Sequence, residues 1–142
     1  MNKVSPDHPR LDLVFVIIGG TRPSLDIDLE ALLQNISHTR SWTLGPPEMV
    51  ELEQEGRIGG VLQVYSALPP WGDKLPKDVD AANLDEVKSL VRALKQFSSA
   101  HGVEIEFELG GIDVGAIRNG SSNQNLAEGL LDEWGRMLNG RP

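Results

Sequence analysis

The sequence predicts an α+β domain, a mostly antiparallel sheet with about three helices packed on one face. Three observations carry that prediction. The stretch "VEIEFELGG" (103 to 111) alternates Val103, Ile105, Phe107 and Leu109 with Glu104, Glu106 and Glu108, the two-residue period of a strand with one face in a core. Three other stretches place apolar residues at helical spacing. Along the chain the order reads strand, helix, an unassigned stretch, strand, helix, strand, strand, helix, and strands that follow one another directly favour antiparallel pairing.

The first strand is "LDLVFVIIGG" (11 to 20), alternating at first and then continuously apolar through β-branched residues, as a central strand does. Gly19, Gly20 and Pro23 end it. In "SLDIDLEALLQNI" Leu25, Leu29, Leu32, Leu33 and Ile36 form a helical stripe. Asp26, Asp28 and Glu30 lie near its start, where the helix dipole favours acids. The stretch from 37 to 58, with Pro46 and Pro47, supports only short extended pieces around Trp42 and Val50. "GGVLQVYSAL" (59 to 68) reads as the second strand, and "PPWGDKLPKDVDAAN" after it as a long surface loop, by position a candidate recognition surface. Asn83 and Glu86 have capping-box spacing ahead of Leu84, Val87, Val91, Leu94 and Phe97, which predicts a helix ending near Gly102. The glutamate strand then pairs with "IDVGAIRNG" (112 to 120) across Gly110 and Gly111. Asn125 and Glu128 repeat the capping-box spacing, and Leu126, Leu130, Trp134 and Leu138 make the apolar face of a closing helix. A single domain over 11–142, preceded by a flexible tail over 1–10, is expected for a chain of 142 residues.

Composition narrows the function classes. The absence of cysteine removes disulfides, thiolate metal sites and cysteine nucleophiles, and suits a reducing cytoplasm. The longest apolar run, "LVFVII", is too short for a bilayer, and "MNKVSPDHPR" is not a secretion signal, so a cytoplasmic protein without membrane contact is expected. A formal charge of −8 repels nucleic acid and suits a basic protein as partner.

The segment "HTRSWTLG", with Thr39, Arg40, Trp42 and Gly45, resembles the Thr-Arg-x-Trp-x-x-Gly type segment of the bacterial family catalogued as domain of unknown function 4279. The order of elements over about 11 to 138 is similar to that family's as well. The chain departs from the pattern in the stretch leading directly into the second strand, which lacks a tryptophan, and in a closing segment richer in polar loop residues. The resemblance implies a fold and no established activity, and it carries over no catalytic residue. Small acidic bacterial proteins of this kind suggest, by analogy, immunity proteins directed at toxins.

Candidate site residues are Glu104, Glu106, Glu108, Arg40, Trp42 and Trp71. The three glutamates share one face of a strand, about 6.6–6.8 Å apart in succession. That spacing is too wide for one strand to hold a cation at ligand distance, so no metal is expected there. They form either a solvated sheet face or an acidic docking surface, which Asp80, Asp85 and Glu86, or Glu48, Glu51, Glu53 and Glu55, would extend. Arg40 and Trp42 fit a stacked guanidinium–indole pair. The simpler reading is a loop anchor in which the tryptophan meets the core and the arginine a nearby carboxylate. The glycine pairs at 19, 59 and 110 are expected at strand ends. No phosphate loop, nucleophile elbow, dinucleotide fingerprint or His-x-x-x-His is present, and no cofactor or catalytic residue is predicted. The reading is a non-catalytic protein-binding domain. Its alternatives are a small hydrolase or transferase using His38, Arg40 and an acid, and a small-ligand sensor with Trp42 and Trp71 as aromatic walls.

Overall fold

The continuous apolar run becomes β1 (Arg10–Ile18), an interior strand of a six-stranded sheet. In this computed structural model, which describes residues 4–20, 24–52, 57–67 and 74–140, the further elements follow in chain order. They are α1 (Ser24–Ser37), β2 (Glu48–Leu52), β3 (Arg57–Tyr65), α2 (Lys77–His101), β4 (Glu104–Leu109), β5 (Ile112–Arg118) and β6 (Ser121–Ser122). A closing helix is wound as a π-helix over Asn125–Asp132 and as an α-helix, α3, over Glu133–Asn139. The sheet order is β2-β3-β1-β4-β5-β6, and every neighbouring pair is antiparallel. The fold is therefore α+β with an antiparallel sheet, the architecture read from the sequence.

One face of the sheet carries the core. Leu13, Phe15 and Ile17 of β1, Ile58, Leu62 and Val64 of β3, and Ile105 and Phe107 of β4 are buried in a single cluster. Leu25, Leu29 and Leu33 of α1 join them, with Val87, Leu90, Val91, Leu94 and Phe97 of α2 and Leu126 of the closing helix. Because side chains alternate along a strand, this places α1, α2 and the π-wound segment on the same side. The opposite side bears Val14, Val16 and Ile18 of β1 and the three glutamates of β4.

Three local expectations are corrected. Helix α2 starts at Lys77 behind Pro76, so half of the expected loop is helical, and Asn83 and Glu86 lie inside the helix rather than at its cap. Proline is well placed at a helix start, where its missing N–H has no intrahelical partner. Asn83 and Glu86 instead spend their side chains on other elements: Tyr65 N donates to Asn83 Oδ1 at 3.0 Å, and Thr43 donates to Glu86. At the closing helix no capping bond comes from Asn125. Asn123 Oδ1 accepts from Leu126 N at 3.0 Å and from Ala116 N at 3.1 Å, fixing the helix entry to β5. Gly59 and Gly60 sit within β3 and not at a turn. A Cβ on Gly60 would enter the Phe15 ring and one on Gly59 would strike the Phe15 carbonyl, so both glycines admit the close approach of β1.

Two residues ahead of β1 are held against the end of β3. His8 is 5% exposed, its Nε2 lies 2.6 Å from the Ser66 carbonyl, and Ser66 N donates to the Pro9 carbonyl, so residues 8 and 9 are tied to the end of β3. By contrast the β4–β5 hairpin forms as expected, with Gly110 and Gly111 both at positive φ.

Candidate functional site

The uncovered sheet face is built by register. Val14 stands opposite Val61 on one side and Glu108 on the other, and Val16 opposite Gly59 and Glu106. On the next strands out, Glu48 pairs with Val61 and Val50 with Gly59, while Asp113 pairs with Glu108 and Ala116 with Glu106. Directly paired residues share a face. Read across the sheet, one row is therefore Glu48, Val61, Val14, Glu108, Asp113, and the next is Val50, Gly59, Val16, Glu106, Ala116. The result is a strip of half-buried valines with carboxylates on both sides.

The charges on that face differ in their surroundings. Glu104 is half-buried and bonded to Arg118 Nε, so its charge is largely answered within the sheet. Glu106 and Glu108 are exposed, and neither has an ion-pair partner among the described residues. Glu48 is exposed at the β2 side, and the exposed Arg57 of β3, two residues from Gly59, brings a cation to the same face. At the lower corner Asp12 accepts from Gln63 Nε2 at 3.2 Å, a neutral partner that leaves the net charge in place. The glutamates alone predict a solvated or acidic face. Its centre is apolar instead, because β1 is apolar on both sides, which the unbroken run at 13 to 18 signals and which "VLQV" and "EMVEL" continue on β3 and β2.

The Arg40–Trp42 segment lies elsewhere, against α2 on the helical side. Arg40 Nη1 donates to Asp85 Oδ2 at 2.7 Å and to Ser89 Oγ at 3.0 Å. Its guanidinium carbon sits 5.4 Å from the Trp42 ring centroid, and Trp42 packs on the core. Glu86, 1% exposed, accepts from Thr43 N at 3.1 Å and from Thr43 Oγ1 at 2.6 Å through one oxygen. Both proposed roles of the arginine, stacking and ion pairing, thus occur together in a clamp that holds the 39–45 segment on α2. Deeper along the helix Trp134 Nε1 donates to Asp80 Oδ1 at 2.8 Å. Trp42 Nε1, Asn83 Nδ2 and Glu86 Oε1 are buried without a hydrogen-bond partner among the described residues. This seam therefore has more buried polar capacity than its own contacts use.

The predicted site residues thus separate into two places. Glu104, Glu106 and Glu108 line the open sheet face, with Glu48 as the acid that extends it. Arg40 and Trp42 line the seam, where Asp80 and Glu86 are buried and Asp85 is taken by Arg40, so these three acids do not extend the glutamate face. Glu51 follows the opposite strand parity from Glu48, and Trp71, Glu53 and Glu55 fall outside the described residues. His38 is exposed just after α1, and the guanidinium of Arg40 is committed to α2. His101 Nε2 lies 3.5 Å from Asp28 Oδ2 and its ring packs on Phe97, which joins the end of α2 to α1. Among the described residues no group of three His, Asp or Glu side chains is placed to hold a metal ion, and no helix is long and apolar enough to cross a membrane.

Comparison with family models, with curated proteins and with solved structures finds no match to this chain. The functional reading rests on the two surfaces themselves.

Proposed function

We propose that the chain is a non-catalytic protein-binding domain that engages a basic protein through its uncovered sheet face, as an immunity protein engages a basic toxin. One observation carries this reading: Val14, Val16, Val50 and Val61 form an apolar strip on the face that no helix of the described residues covers, with exposed Glu48 on one side of it and exposed Glu106 and Glu108 on the other. An apolar centre with a charged rim is the anatomy of a protein interface, in which the centre contributes affinity and the rim contributes steering and selectivity. The net charge of −8 favours a cationic partner and disfavours nucleic acid. A bacterial and cytoplasmic setting belongs to the same proposal, from the resemblance to domain of unknown function 4279 and the absence of cysteine.

The test is a pull-down from the native host's lysate at low and moderate salt, with a Glu104/Glu106/Glu108→Gln variant and a Val14/Val16→Thr variant alongside. A basic protein held by the native chain, released as salt rises and lost from both variants, supports the proposal. Equal retention by all three chains, or retention of nothing, contradicts it.

A second reading takes the seam at α2 as a small-ligand site, supported by the unpartnered Trp42 Nε1, Asn83 Nδ2 and Glu86 Oε1. Metabolite fractions that raise the melting temperature of the native chain, but not of Trp42→Phe, would favour it over the docking face.

A further inference from the structure

Building on the docking reading, the geometry points to a specific occupant of the sheet face: an amphipathic helix of the partner, with an apolar stripe flanked on both sides by lysine or arginine. The acidic borders are Glu48 on β2 and Glu106 and Glu108 on β4, with β3 and β1 between them, whereas the Ile18 end of the floor is bounded by Arg57 of β3 and by the Glu104–Arg118 pair. Three inter-strand spacings separate those borders, about 14 Å. A helix with its side chains is about 10–12 Å across, so basic residues on its two flanks reach outward onto Glu48 on one side and onto Glu106 and Glu108 on the other. Along β1 the floor from Val14 to Ile18 extends about 13 Å, or between two and three helical turns. Apolar residues at i, i+3 or i+4, and i+7 of the occupant would match that length. Such a helix would mirror α2 across the sheet and complete a three-layer arrangement.

Other occupants fit the face less well. An added strand pairs with a sheet edge and not with a face. The available edges are β2, with Glu48 and Glu51 exposed, and the two-residue β6. A second copy of this chain, docked face to face, would bring carboxylate rows near one another and join two molecules each at −8. An anionic membrane surface is repelled for the same reason.

The experiment uses two fluorescently labelled peptides of identical composition, rich in leucine and lysine. One has helical amphipathic spacing and the other strict alternation. Binding to the full chain is read by anisotropy, with sedimentation of the free protein and of mixtures with phosphatidylserine vesicles as further arms. The expected result is that the helical peptide binds at least about tenfold more tightly than the alternating one, a difference near 1.4 kcal/mol. Val14/Val16→Thr should weaken it about threefold to tenfold through loss of apolar contact. Glu48→Gln and Glu106/Glu108→Gln should each weaken it and flatten its salt dependence. If both peptides bind equally and both respond to these variants, the helical occupant is wrong while the docking face stands. If neither responds to the variants, the docking face falls as well. Self-association blocked by Val14/Val16→Thr, or co-sedimentation with the vesicles, would replace the helix by a second copy or by a lipid surface.

Discussion

Glu86 shows how a buried acid can hold a loop in place. At 1% exposure it accepts two hydrogen bonds from Thr43, and replacing it by alanine leaves the Thr43 N–H without its acceptor. We expect Glu86→Ala to lower stability by about 1.5–3 kcal/mol, the usual range for hydrogen bonds to a charged group, measured by urea denaturation. Arg40 acts on the same segment from a more exposed place, with its partner Asp85 mostly in solvent. Arg40→Ala should therefore cost only about 0.5–1 kcal/mol, and less at high salt. A larger loss for Arg40 than for Glu86 would mean that the clamp is held from its outer side. The sequence made the Arg40–Trp42 pairing readable, since two residues in an extended stretch suffice to suggest it. It hid the role of Glu86, because capping-box spacing looks the same at a helix start and within a helix, and only the partner strand or loop tells them apart.

At the scale of elements, β3 and the closing helix are held by single residues that admit few replacements. Gly60→Ala would place a methyl group into the Phe15 ring, and overpacking of that kind costs about 1–3 kcal/mol. Combining it with Phe15→Leu should recover part of the loss, whereas simple additivity in denaturation would show that the close approach is not the cause. Asn123→Ala removes the acceptor shared by Ala116 N and Leu126 N, with an expected loss of about 1–2 kcal/mol and faster hydrogen exchange at both amides. Elements with a clear period were legible: α1, the helix around Leu84 to Phe97, the glutamate strand and its hairpin. Those set by tertiary partners were not. The first turns of α2 carry Asp80 and Asn83 where a stripe would be apolar, and these are tolerated because Trp134 and Tyr65 supply their hydrogen bonds. The glycines of β3 read as punctuation because their reason, the Phe15 ring and backbone, lies on another strand.

For the molecule as a whole, the sheet divides two tasks. Its covered face meets α1, α2 and the closing helix and carries the core, and its open face carries valines and the exposed Glu48, Glu106 and Glu108. A surface kept for binding should not be needed for folding. Glu106/Glu108→Gln is expected to change stability by no more than about 0.5 kcal/mol, with any change toward greater stability because like charges are removed. A marked loss of stability would assign those glutamates to the fold instead. The acidic row itself was legible from its two-residue period. The apolar run of β1 was legible too, but not that Val61 and Val50 adjoin it beside the acids, because which strands neighbour β1, and in what register, is decided by pairing across distant parts of the chain.

The most direct test of the docking face is an amide NMR map of the isotopically labelled protein as the basic partner captured by the native chain is added. Shifts are expected to concentrate at Val14, Val16, Val61, Glu106 and Glu108, with Arg40, Trp42 and the adjoining turns of α2 left in place. Shifts confined to the α2 seam, with the open sheet face unmoved, would contradict it.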